Sequence, residues 1–214
     1  MVYGMACDGC NDTILIYLPV TYAGLYSGSN PDTVNILDAM HNRQVFGKPR
    51  IGDKLAMMIN ESDSSKADLV VAVDQLFGSW CYKVLPKLRQ TADMEWQSEG
   101  ESVQLPDSIR ELLSVEKEYG MIIKSNHTLF PIGGMRQAKT SDEELPVEYP
   151  AVKRYREWKL FNGSLLLIEA MTDSLGKLQV ISTDTTELVM LTADTLVLRM
   201  GDEEKGFYHK VEAE

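Results

Sequence analysis

Cys7-Asp8-Gly9-Cys10 is the first arrangement in the chain with spacing suited to chemistry. Two thiols so placed make a redox pair where a strand feeds a helix N-terminus that lowers one thiol pKa. They make half of a zinc site where a second such pair exists. The third cysteine, Cys81, stands alone, so a four-cysteine site within one chain is excluded, and an odd number of cysteines is no disulfide scaffold. Cys10 is followed by Asn11-Asp12-Thr13 and then by Ile14-Leu15-Ile16-Tyr17-Leu18, a sequence that describes a hairpin turn. Cys7 and Cys10 are therefore read as structural residues of that turn, as packed thiols or as a disulfide across it. Metal binding and redox chemistry stand as the alternatives.

Other catalytic patterns are absent from the sequence. His41, His127 and His209 are far apart and lack an H-E-x-x-H spacing. No G-x-S-x-G elbow accompanies the many serines and threonines, and Gly133-Gly134 lacks the flanking pattern of a phosphate loop. Glycoside hydrolysis needs two carboxylates across a cleft, but among 32 acidic residues no pair is singled out. Asp142, Glu143 and Glu144 lack the alternating oxygen ligands of a calcium loop and read as solvated surface. No catalytic residue, no metal and no cofactor is assigned. What remains is aromatic: Tyr119, Phe130, Tyr155, Trp158, Phe161 and Tyr208, together with Phe207, are the candidates to line an apolar ligand cavity, although the same residues suit a core.

The net charge of -11 opposes dense phosphate, so nucleic acid is not an expected partner. Two short basic runs, Lys83, Lys87, Arg89 and Lys153, Arg154, Arg156, read as solvated faces. No stretch approaches the length of a membrane helix, and no charged and apolar leader follows Met1. Val2 to Ala6 already reads as a strand, an abrupt start for a folded chain.

The elements that must position these residues are nearly all strands. Val2 to Ala6, Thr13 to Leu18, Thr33 to Leu37, Lys54 to Ile59 and Ala67 to Val73 are strand candidates separated by turn signals, the inventory of a small closed or half-open barrel. The Met-rich run Lys54 to Ile59 suits strand or helix, and its position between Gly52 and Asn60 favours strand. After a boundary near Phe77-Gly78 come Trp80 to Leu85 and the one convincing helix, Ser108 to Val115, in which Ser108 and Glu111 are spaced as a capping box. Tyr119 to Ile123, His127 to Ile132, a run through Tyr155, Trp158 and Leu160, and Ser164 to Glu169 follow. Asn162-Gly163 between the last two is the strongest hairpin signal in the chain. Lys177 to Ser182, Thr186 to Leu191, Thr195 to Met200 and Gly206 to Val211 complete a meander. Its expected turns are Asp184-Thr185, Ala193-Asp194 and Gly201-Asp202.

The segment from Gly78 resembles the lipocalin-like domains of secreted Bacteroidetes lipoproteins. The resemblance is carried by Gly78-Ser79-Trp80, by Trp158-Lys159-Leu160-Phe161-Asn162-Gly163-Ser164-Leu165, and by the closing hairpins around Thr186 to Val189, Asp194 to Leu198 and Gly206 to Lys210. The whole chain is similar to uncharacterised proteins of that group in which Asn11-Asp12-Thr13 and Phe46-Gly47-Lys48-Pro49 precede the barrel. The resemblance implies an N-terminal lipid anchor, a cell-envelope location and no particular ligand. Trp80 is expected to plug one end of the barrel, its indole N–H meeting an acceptor and a cation such as Arg199 stacking over it.

The expectation is an all-β chain. Residues 1–76 form a small β-barrel-like domain of OB or SH3-like type, and residues 77–214 a lipocalin-like antiparallel β-barrel with one short helix. Functionally, a non-enzymatic envelope protein is expected, binding a small hydrophobic molecule or a glycan in the barrel or in the cleft between domains. The rival is an accessory protein–protein interaction subunit of a surface assembly, and an enzyme comes third.

Overall fold

The computed structural model describes residues 1–28, 30–88, 105–134, 147–173 and 176–211. Its first sheet is built from β1 (Val2–Ala6), β2 (Ile14–Val20), β3 (Asp32–Asn35), β4 (Val45–Phe46), β5 (Lys54–Ile59) and β6 (Ala67–Ala72), with the short helix α1 (Leu37–His41) between β3 and β4. The strand order is β3-β2-β1-β5-β6-β4, antiparallel except where β4 joins β6. Alternation sets the inward face: Leu15 and Tyr17 of β2 are buried with Ala6, Val34, Leu55 and Val70. At one end Asn35 donates its N–H to the Ser65 carbonyl and bridges Lys66, which curls β3 round towards β6. β3 and β4 are the outermost strands of the sheet, which is half-open.

The expected strand from Thr33 to Leu37 stops two residues early. The Asn35 side chain accepts the Leu37 N–H at 2.9 Å, a local turn that competes with the ladder and sends the chain into α1. Only Ala39 of this helix is buried, so its sequence carries almost no apolar stripe by which to foresee it.

A 3-10 turn (Val73–Leu76) leads into β7 (Gly78–Val84), β8 (Lys87–Leu88), α2 (Asp107–Leu113), β9 (Lys117–Ile123), β10 (Leu129–Ile132), β11 (Val147–Glu148), β12 (Tyr155–Phe161), β13 (Ser164–Thr172), β14 (Leu178–Leu191), β15 (Thr195–Met200) and β16 (Glu203–Lys210). Eight of these strands form one sheet in the order β10-β9-β7-β16-β15-β14-β13-β12, every pairing antiparallel. Its two edges come together where Thr128 bridges Glu157 and the Trp158 N–H reaches the His127 carbonyl at 3.0 Å. The sheet is a nearly closed barrel of lipocalin-like fold, and β8 pairs with β11 beside it.

Two local expectations change. The turn foreseen at Asp184-Thr185 does not exist: β14 runs unbroken because Thr183, Asp184 and Thr185 pair with Ile168, Leu167 and Leu166 of β13. Aspartate beside threonine signals a turn in isolation, but a fully paired neighbour overrides that preference. The capping box of α2 does not form either. Pro106 occupies the cap position and Ser108 lies inside the helix, so no side chain caps it. The Asn162-Gly163 hairpin is as expected, with φ of 46° and 80° fitting a type I′ turn.

The two sheets share a seam. In β5, Leu55 and Met57 enter the core of the first sheet while Ala56 faces the barrel; in β6, Val70 and Ala72 do the former and Val71 the latter. Burial on both faces explains why Lys54 to Ile59 is apolar without alternation. Phe46, Ala56, Val71 and Leu76 join Trp80, Trp158, Leu165 and Leu196 in one cluster, so the first sheet lies across one end of the barrel. Phe46 thus packs on the barrel, Leu55 within the first sheet's own core, and Ile51 is exposed.

Candidate functional site

The opposite end of the barrel is open. A cavity of about 600 Å³ lies there, within the ordinary size range of small-ligand sites. Its apolar floor comes from inward positions two residues further along strands whose other inward residues fill the closed end: Tyr82 beyond Trp80 in β7, Leu198 beyond Leu196 in β15, Leu167 beyond Leu165 in β13. Met121 and Phe207 complete the floor. Gly120 forms part of the wall because no side chain fits there: a Cβ would stand 2.0 Å from the Trp80 carbonyl oxygen, where β9 presses on β7.

Polar groups gather at one side of the mouth. Lys153 contacts both carboxylate oxygens of Asp184 at 2.7 Å, and the Tyr155 hydroxyl donates a short hydrogen bond to the same carboxylate. The Lys153 ammonium, then the Tyr155 hydroxyl, hold the Asp184 carboxyl below its ordinary range. Burial, reinforced by the Asp184 charge, pushes the Tyr155 phenol far above its usual value, so it stays a protonated donor. Across the cavity the Lys205 ammonium sits 3.6 Å from the centre of the Tyr82 ring. That ring is held edge-on by Phe207 at 5.3 Å and by Tyr119 at 6.1 Å.

Of the six aromatic candidates, Tyr155 lines this cavity, as does Phe207. Tyr119 is buried behind Tyr82, and Trp158 is buried towards the closed end, its indole N–H on the Lys124 carbonyl at 2.9 Å. Phe130, Phe161 and Tyr208 face outward, the first two 47% and 61% exposed. Strand alternation is the reason: Leu129, Leu160 and Phe207 take the inward places beside them. Tyr208 instead donates to Glu118 at 2.7 Å on the outer surface, which raises its phenol to about 12. Lys153, taken from sequence as part of a solvated face, belongs to the cavity, and Asp184 was hidden by its resemblance to a turn residue. Tyr82 was legible as the i, i+2 partner of Trp80, whereas Lys205 lay just before the expected strand Gly206 to Val211 and joins the cavity because β16 begins at Glu203.

Trp80 is buried and its indole N–H reaches the Leu76 carbonyl at 2.7 Å. The ring packing on it is His209, 4.8 Å away; Arg199 instead pairs with Glu187 at 3.2 Å and Glu204 at 2.6 Å outside the barrel. Gly78, at φ 131°, is where His209 crosses: a Cβ there would lie 2.2 Å from the imidazole Nε2. Cys7, Cys10 and Cys81 are free thiols. The Cys10 sulfur lies 3.2 Å from the Cys7 carbonyl and accepts the Ile16 N–H at 3.3 Å, which ties it into the turn. Among the described residues no group of three or more His, Cys, Asp or Glu is placed to hold a metal, and no helix is long and apolar enough to cross a membrane. Asp142, Glu143, Glu144 and Arg89 lie outside the described residues.

Residues 147–211, which carry β11 to β16, match a protein-family model described as Lipocalin-like. No curated protein matches the chain. Among solved structures, a lipocalin-like protein from Bacteroides thetaiotaomicron VPI-5482 aligns over 64% of this chain and 97% of its own, with 17% identity and a TM-score of 0.31. The C-terminal half of the barrel is thus similar in sequence to lipocalin-like proteins, and the barrel as a whole has their fold.

Proposed function

We propose that this is a non-enzymatic binding protein whose barrel takes a small apolar or amphipathic molecule through its open end. One observation carries the reading: the barrel is filled and covered at one end by Trp80, Trp158 and the first sheet, yet keeps a cavity of about 600 Å³ with an apolar floor and a polar rim at the other. A barrel serving only as a scaffold gains stability by filling such a space. The envelope location and lipid anchor that the resemblance implies belong to the same proposal; fractionation of cells expressing the natural gene checks them.

The test is calorimetric titration of the purified protein with short-chain lipids and detergent monomers, repeated with Met200→Trp. Met200 is a half-buried residue at the cavity mouth, so a tryptophan there blocks entry without disturbing the filled end. Saturable binding lost in Met200→Trp supports the reading; binding that survives it, or none, overturns it.

A second reading is favoured by the hairpin of β13 and β14, where Met171, Leu178, Val180 and Ile181 are all exposed. Exposed apolar side chains on both faces of a two-stranded ribbon suit contact with another protein. Loss of a co-purifying complex in Val180→Lys, with ligand binding intact, would support it.

A further inference from the structure

We infer that the cavity selects an amphiphile with an anionic head, seated at Lys205 with its apolar body on the Leu167, Leu198 and Phe207 floor. This rests on the barrel being a ligand site and adds the charge and orientation of what it holds.

Among the described residues, four ionisable side chains other than tyrosine face the cavity: Lys153, Asp184, Glu203 and Lys205. Lys153 and Asp184 neutralise each other, and Asp184 takes the Tyr155 proton donor as well, so this side presents no unmatched charge. Lys205 has no carboxylate within ion-pair distance among the described residues; only the face of Tyr82 engages it. An ammonium has three donors, and a ring face satisfies at most one side of it. The remaining donors border the apolar floor, because Lys205 and Phe207 are inward neighbours on β16, two residues apart. Glu203 is the opposing consideration. It lies on the same face two residues earlier, but it is exposed beside the Gly201 turn, further from the floor than the half-buried Lys205. An anionic head therefore meets Lys205 first and feels Glu203 as a weaker, solvent-screened repulsion. A cationic head would have to sit against Lys205 to place its tail on the floor.

The experiment compares dodecanoate, dodecylamine and dodecanol below their aggregation concentrations, by calorimetry on the intact protein. Dodecanoate is expected to bind about tenfold tighter than either of the others, as a charge-assisted hydrogen bond implies. Lys205→Met should erase that preference, weakening dodecanoate about tenfold and changing dodecanol less than twofold. Glu203→Gln should tighten dodecanoate by about twofold. Equal affinities across the three head groups in the unaltered protein, which needs no variant to fold, overturn the inference while leaving the barrel a ligand site. So does an unchanged dodecanoate affinity in Lys205→Met. No binding by any of the three, or binding indifferent to Met200→Trp, overturns the ligand-site reading and this inference together.

Discussion

Asp184 shows how a single side chain acquires a role from its neighbours. It faces the cavity mouth because it is paired with Leu167 in mid-strand, and two donors, Lys153 and Tyr155, converge on it. Their hydrogen bonds favour the charged carboxylate, so its folded pKa lies below the unfolded value. The stability this provides is present above the unfolded carboxylate value of about 3.9 and is lost as pH falls through the depressed folded one. Asp184→Asn is therefore expected to cost about 1 kcal/mol at neutral pH, since the pair is partly solvated. Below about pH 4 the gap between variant and parent should narrow. Denaturant unfolding at a series of pH values checks this; a gap independent of pH would mean the carboxylate is not held by its charge.

Among the elements, the β12–β13 hairpin does the most with the least sequence. Its two-residue turn needs positive φ at both Asn162 and Gly163, the geometry that matches the twist of the flanking strands. The turn also docks: a Cβ on Gly163 would stand 2.8 Å from a methyl of Leu69 in the first sheet. Gly163→Ala combines a backbone conformation that alanine adopts poorly with a clash, and about 1–2 kcal/mol of lost stability is expected. In the double variant with Leu69→Ala the clash disappears but the strained φ stays, so the two costs should add to less than their sum. Full additivity in thermal unfolding would show that the turn does not touch the sheet. The hairpin signal was plain from Asn-Gly alone, whereas its docking partner, almost a hundred residues earlier, was not. The unbroken β14 makes the opposite point: its local signal favoured a turn, and pairing with β13 removed it.

For the molecule as a whole, the seam between the sheets decides which end of the barrel is available. Phe46, Ala56 and Val71 enter the cluster that holds Trp80 and Trp158, and rings of Tyr3, Tyr22, His127 and Trp158 follow one another across the junction at 5.2, 4.8 and 4.8 Å. Burial, then the nearby Lys54 charge, keeps the His127 imidazole below its usual value, in keeping with a packed junction. If the first sheet is an integral cover, its core and the barrel unfold together. Phe46→Ala is expected to cost about 3 kcal/mol. All three tryptophans, Trp80, Trp96 and Trp158, lie beyond residue 76, so their fluorescence reports the second segment. Its denaturation midpoint should fall in Phe46→Ala by the same amount as that of the far-ultraviolet signal. A tryptophan transition that does not move would show two independently folding units.

Sequence alone determined what depends on neighbours along the chain. Apolar alternation and Gly, Asn and Asp turn signals yielded the all-β class and most strands, and Gly78-Ser79-Trp80 with the closing hairpins marked the lipocalin-like barrel. The absence of ligand-spaced histidines and of nucleophile motifs was equally readable. Tertiary structure alone decided the site. Which member of each aromatic–aliphatic pair faces inward depends on register, and a shift of one residue exchanges Leu160 with Phe161 or Phe207 with Tyr208. The pairing of Lys153 with Asp184, and the isolation of Lys205 from any carboxylate among the described residues, depend on which strands meet when the barrel closes. Local sequence carries no record of such meetings, because the free energy that sets them comes from surfaces far apart in the chain.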